Sequence, residues 1–281
     1  MKIIVPMLAV LAALSPACAQ GGTRVQFNAK EVVAPEPGSA YIYYRATDAK
    51  IAVVFLRTVT EAQRAEYLKK REAALAAAHE KYLKKLTSWE ESMRQGGVGA
   101  AGPKPVEPTE QSFAFPAAEL DNLFYADPGR VFLNEKPHYA YLLRVEPGEY
   151  TFYGPINQFA QPMMDTSLCM CMGSVRFTAE AGKIVDLGEI GTESTPAAET
   201  LSDKTALQFH WRIDPTLALS RLPDRLPKIP VMKADFRAAD KIPNYLGIRI
   251  DRLVAMPGVL AYQRDRVIDL RGDVPGAAGP H

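Results

Sequence analysis

Met163, Met164, Cys169, Met170, Cys171 and Met172 place four of the nine methionines and two of the three cysteines of the chain within ten residues. Thiolate and thioether sulfurs are soft ligands of the kind that select Cu(I). Three readings suit the Cys-x-Cys pair. As a metal site, Cys169, Cys171, Met170 and Met172 would hold copper(I), with help from His138 or His210. That requires a loop to gather them, because a strand turns the cysteines to one face and the methionines to the other. As a disulfide, the pair must come closer than an extended strand allows, since alternate residues stand about 6.6 Å apart and bridging needs Cβ atoms about 3.5 to 4.5 Å apart. As core residues, free Cys and Met are ordinary buried apolar side chains. The last reading needs no ligand and is the leading expectation, with no cofactor and copper(I) as the alternative.

Other chemistry finds less support. There is no G-x-S-x-G elbow, no H-E-x-x-H pair and no glycine-rich dinucleotide turn, and Gly102-Pro103-Lys104 breaks any phosphate-loop spacing. Glu146 and Asp186 read as solvated turn residues, His79 as a residue of a helix surface, and His281 as terminal. A non-enzymatic protein is expected.

These residues must be positioned by a chain of 281 residues with 47% hydrophobic and 23% charged side chains, which excludes a wholly disordered or multi-span membrane protein. Lys2, the apolar run Ile3 to Leu14 and the small residues Ala17 and Ala19 form a secretory leader over 1–19, with the mature chain starting at Gln20. The run is shorter than the roughly 20 residues of a bilayer span, so no transmembrane segment is expected in the mature chain. Cys18 opens the alternative of a lipid-anchored envelope protein; either route predicts a periplasmic or secreted location. Loss of the leader removes Lys2 and no acid, leaving 32 basic against 32 acidic groups. With no basic patch, nucleic-acid binding is not expected.

The mature chain reads as mainly β: an antiparallel β-sandwich domain over 20–200, with a long helical insertion at 61–95, a flexible loop at 96–111, a C-terminal extension at 201–271 packed on the sandwich, and a mobile tail at 272–281. Strands are expected at 25–27, 40–45, 51–56, 139–145, 149–153, 174–178, 184–190 and 206–213, with a strand-like alternation at 245–253. Glu146-Pro147-Gly148 makes a tight turn, and Gly188 marks a bulge. From Glu61 to Met93 no Gly or Pro occurs, and Leu68, Leu75, Tyr82 and Trp89 recur every seven residues, joined by Leu86 and Met93. This stripe predicts either a helix lying along its own domain, bent near Ala76 if it doubles back, or a projecting helix that pairs with an envelope partner or with itself. Gly96 to Pro108 is too rich in Gly and Pro to pack a core.

Gly38-Ser39-Ala40-Tyr41-Ile42-Tyr43 with Arg45, the strand and turn Tyr141 to Phe152 around Pro147 and Gly148, and Gly173 to Gly188 with Phe177 and Ala181-Gly182-Lys183 resemble the DUF2846-like family of exported bacterial proteins and lipoproteins. The resemblance covers 38–57 and 128–190. It implies a transthyretin-like β-sandwich in the cell envelope, and carries no catalytic residue with it.

Overall fold

The computed structural model describes residues 24–96, 102–156, 167–196, 207–220 and 222–272. The expected leader with Cys18, the tip of the loop at 97–101 and the tail beyond 272 lie outside them. Strands dominate, and one helix is long: β1 (Val25–Phe27), β2 (Ala40–Thr47), β3 (Val53–Arg57), α1 (Glu61–Gly96), β4 (Leu123–Ala126), β5 (Leu133–Glu135), β6 (His138–Val145) and β7 (Gly148–Pro155). There follow β8 (Leu168–Cys169), β9 (Ser174–Ala179), β10 (Ile184–Pro196), β11 (Leu207–Asp214), β12 (Val231–Lys233), β13 (Arg237–Ala239), β14 (Arg249–Ile250), β15 (Leu260–Gln263) and β16 (Arg266–Asp269). Among the described residues no helix is long and apolar enough to cross a membrane.

The larger sheet runs β1-β6-β2-β10-β11, with β5 also on β6 and β12 also on β10. The smaller runs β13-β9-β7-β3-β4. Their inner faces meet where Phe55 of the smaller sheet lies edge-on to Tyr44 of the larger; Tyr44 stacks on Tyr141 of its own sheet with centroids 4.7 Å apart, and Phe55 also meets Phe152 and Phe177 edge-on. The mainly β, sandwich-like layout expected from the strand spacing is therefore the fold, but the larger sheet is mixed and not wholly antiparallel, because β10 runs parallel to both β2 and β12. The segment after residue 200 contributes strands to both sheets, β11 and β12 to the larger and β13 to the smaller.

Both outer faces carry a partial covering layer. On the larger sheet Tyr41, Tyr43, Ala140, Leu142 and Ile184 lie under Leu222, Leu226, Ile229 and Val231. On the smaller, Val54, Leu56 and Tyr153 lie under Ile242, Tyr245 and Ile248. This is why Ala40 to Tyr44 are all buried instead of alternating: a strand covered on both faces has no polar side to show. The bulge falls where Gly188 predicts it, with the β10–β2 register shifting between Asp186 and Glu189. Gly188 holds φ +84, and a Cβ there would sit 2.1 Å from the Asp214 carbonyl oxygen, so glycine is required twice over.

Three expectations change. Tyr245 to Leu253 is not a strand beyond β14: the Asn244 amide donates to the Ile248 carbonyl at 2.6 Å and its oxygen accepts the Ile248 N–H at 3.2 Å, closing a turn in which Gly247 takes φ +62. Asp186 is not a solvated turn residue; it is fully buried on β10. Finally, α1 is one unbroken helix with none of its residues buried, neither bent near Ala76 nor sunk into the sandwich.

The start of α1 is set by a capping box, in which the Gln63 N–H donates to Thr60 Oγ1 and the Thr60 N–H donates to Gln63 Oε1. At about 1.5 Å per residue it extends roughly 54 Å. Leu75, Tyr82, Leu86, Trp89 and Met93 of its apolar stripe are half-buried, on the side along which the following chain returns, while Leu68 stays exposed. Running back along the helix, Gly102 accepts from Trp89 Nε1 at 3.0 Å, Glu107 meets His79 at 3.1 Å, Glu110 pairs with Arg71 at 2.5 Å, and the Phe115 ring lies 5.5 Å from Tyr67. The Pro-rich return segment does pack, against a helix instead of a core, because Pro103, Pro105 and Pro108 make it extended at little entropic cost. Trp89→Ala is expected to leave the sandwich melting temperature unchanged while raising proteolysis near residue 102; undiminished protection of that segment would refute the clasp.

Candidate functional site

The sulfur-rich segment folds into the smaller sheet's outer layer. The described part begins at Ser167, so Met163 and Met164 lie outside it. After β8, which pairs with β14, the Gly173 N–H donates to the Met170 carbonyl and turns the chain. That turn contracts the Cys169 and Cys171 Cα atoms to 5.0 Å, and the two are joined as a disulfide. The extended spacing that argued against bridging does not apply, because the strand ends at Cys169. Buried free thiols, the leading expectation, are therefore replaced by a buried disulfide.

The four candidate sulfurs face different surroundings. Cys169 and Cys171 pack with Val54, Leu56 and Tyr153 in the outer layer, whereas Met170 is fully buried in the core between the sheets. Met172 is half-buried. Among the described residues no three His, Cys, Asp or Glu side chains converge as a metal group. The segment thus reads as a clamp: a disulfide closing so short a loop is worth about 1.5 kcal/mol on chain-entropy grounds. The native protein is expected to show no thiol reactive toward a disulfide reagent until denatured and reduced, where two appear. Reaction of either thiol in the folded, unreduced chain would contradict this arrangement.

The histidines named as helpers stand elsewhere. His210 lies on β11 opposite Glu193, and His138 opens β6 opposite Thr47 on β2. At His138 the structure assembles a polar row that the sequence does not reveal. Thr47 Oγ1 donates to Glu189 Oε2 at 2.8 Å and lies 3.3 Å from His138 Nδ1. With its proton committed to Glu189, the Thr47 hydroxyl accepts from Nδ1–H. Arg212 stands 3.8 Å from the other Glu189 oxygen. Adjacent strands β6, β2 and β10 supply one member each, separated by 91 and 142 residues in sequence.

This row borders a groove of about 840 Å³ on the outer face of the larger sheet, with apolar walls from Leu133, Leu217, Leu222 and Pro223. The strap residues 217–220 and 222–225 that wall it are tied down by charge. Arg45 donates to the Leu217 and Ser220 carbonyls and lies 3.9 Å from Asp186, whose oxygens accept the N–H groups of Gly188 at 2.8 Å and Leu219 at 2.7 Å. Burial holds the Asp186 carboxyl above its ordinary range despite those bonds and Arg45. Arg225 lies 4.4 Å over the Phe132 ring and donates to the Ala29, Glu31 and Phe132 carbonyls. Apolar walls around a few fixed polar groups form the layout of a small-molecule cleft, but both arginines are consumed in holding its wall.

Exposed apolar side chains also occur on α1 and its return segment. Leu68 and Leu83 are 55% and 48% exposed and Val106 is 86% exposed. Comparison of the chain with protein-family models, curated proteins and solved structures finds no match.

Proposed function

We propose that this is an exported, non-catalytic protein of the cell envelope that acts as a protein-interaction module, with the α1 hairpin as its contact element. The observation that carries the reading is that a helix of 36 residues contributes none of them to the buried core. The sandwich obtains its core and both covering layers from other segments, so folding alone gives no reason to maintain the hairpin. The leader-like residues 1–19 support export, and the resemblance to exported bacterial proteins supports an envelope location.

The experiment places a photo-crosslinking side chain at Leu83 or Val106 of the full chain in the exporting cell, with Met232, an exposed residue on β12, as the control. Adducts from the hairpin positions and none from Met232 are expected. Deleting the hairpin between Arg64 and Phe115 with a short flexible linker is expected to move the melting temperature by only a few degrees, since surface changes away from the core cost about 0.5 kcal/mol or less. Absence of any adduct from the hairpin, or unfolding of the sandwich on its deletion, would overturn the reading.

A further inference from the structure

We propose that the partner of the hairpin offers it an extended, acidic segment, with carboxylates at alternate positions, which lies in the seam between α1 and the return segment. The proposal rests on the reading of the hairpin as a contact element and names the chemistry of what it contacts.

The seam is a groove. Two adjoining hollows of about 410 Å³ each run along it, one bounded by Lys81, Tyr82 and Val106, the other by Lys84, Ser88 and Trp89; Lys85 and Pro105 line both. From Ala78 to Ser92 its helix side is about 21 Å long, room for about six extended residues at roughly 3.3 Å each.

The helix wall is cationic. Among the described residues the lysines held in ion pairs are Lys70 and Lys183, so Lys81, Lys84 and Lys85 stand in the groove without a carboxylate partner. Lys104 reaches the same end from the return segment, its Nζ 6.0 Å over the Trp89 ring. No acidic side chain among the described residues lines either hollow. With 3.6 residues per turn, Glu80, Glu90 and Glu91 lie about 100° or more round α1 from the line midway between Lys81 and Lys85. The near-neutral charge of the whole chain hides this patch, which forms only when the return segment folds back.

The spacing and the second wall select the occupant. Lys81 and Lys85 are about 6 Å apart along the helix axis, and alternate residues of an extended chain are about 6.6 Å apart and point the same way. Two carboxylates at alternate positions therefore meet both ammonium groups. The intervening side chains point to the opposite wall, where Pro105, Val106 and Pro108 are apolar and Val106 is 86% exposed. Pro103, Pro105 and Pro108 carry no N–H, so the return segment gives a visiting chain few backbone donors and recognition falls to side chains. An alternation of acidic and apolar residues satisfies both walls. A bilayer of anionic lipid is bound through clusters of about four to eight cations, whereas here three lysines line a narrow seam with Glu80 and Glu91 beside them.

The test follows the anisotropy of a fluorescent peptide, Glu-Val-Glu-Val-Glu-Val, titrated with the full chain at low salt. The unaltered chain should bind it, and less tightly as salt is added. K81E with K85E should bind at least about tenfold more weakly, since two exposed attractions become repulsions. K69E with K228E, the same change of charge at exposed sites outside the groove, should stay within about twofold of the unaltered chain, because distant exposed charges are screened. A peptide with lysine in place of each glutamate should bind K81E with K85E and not the unaltered chain, a reversal that mere damage to the helix cannot produce. Failure of the acidic peptide to bind, or equal losses in the two double variants, overturns the proposal. So does tighter binding to phosphatidylglycerol vesicles or to polyphosphate than to the peptide, which would give the groove to a membrane or a polyanion. In the exporting cell, adducts from Val106 that persist undiminished in K81E with K85E would sink the groove and leave the interaction reading standing; no adduct from Val106 or Leu83 in the unaltered chain would sink both.

Discussion

Asp186→Ala is expected to destabilise the fold by about 3 to 5 kcal/mol, the cost of removing one partner of a buried ion pair. Asp186 is fully buried, and its loss leaves the Arg45 guanidinium, itself only 12% exposed, without a carboxylate 3.9 Å away. It also strands the N–H groups of Gly188 and Leu219, which fix the bulge and the groove wall. Denaturant unfolding measures the cost, and a loss below about 1 kcal/mol would refute the role. The double variant Arg45→Met with Asp186→Leu separates charge from packing. Replacing both partners by apolar groups is often neutral, so it should recover much of the loss, and a double variant no better than Asp186→Ala would show that the backbone bonds, not the pair, dominate.

The same residue gives a pH dependence whose sign is opposite to that of most acids in folded proteins. Burial, the largest influence, raises the Asp186 carboxyl above its ordinary value. A carboxyl more easily protonated in the folded than in the unfolded chain favours folding most below its unfolded pKa, and that contribution is lost as pH rises through the folded value. Asp186→Asn should remove that decline from the stability profile.

Phe55→Ala is expected to cost about 3 to 5 kcal/mol. The Phe55 ring is fully buried on β3 and lies 5.9 Å from Tyr44, 6.0 Å from Phe152 and 6.0 Å from Phe177, bridging the two sheets. Tyr44 and Phe152 are themselves fully buried in strands of opposite sheets, so the space has little means to collapse. Phe55→Leu, which refills most of the volume, should cost less than half as much; equal losses from the two variants would place the contribution in the ring's aromatic contacts and not in the cavity.

Local signals in the chain were good guides to local structure. Pro147-Gly148 between Tyr139 to Val145 and Glu149 to Tyr153 gives the β6–β7 turn, Gly188 gives the bulge, and the absence of Gly and Pro from Glu61 to Met93 gives α1. What escaped reading depends on remote segments. Asp186 looks like a turn acid until the strap 217–220 folds over it. Thr47, His138 and Glu189 become neighbours only through the order of β6, β2 and β10. Cys169 and Cys171 seem too far apart until the chain turns at Met170, and a helix stripe that suggests a core turns out to serve a Pro-rich return segment.

The double covering of the larger sheet bears on the order of events during synthesis. Tyr41, Tyr43 and Leu142 are made by the middle of the chain, while Leu222, Leu226 and Ile229, which lie over them, are made in its last quarter. A nascent chain that has finished β6 and β7 therefore holds a broad aromatic face with nothing to place on it until some seventy residues more have appeared. Completion of the fold is tied to completion of the polypeptide, and an unfinished chain displays the kind of surface that holding chaperones recognise and that aggregation exploits.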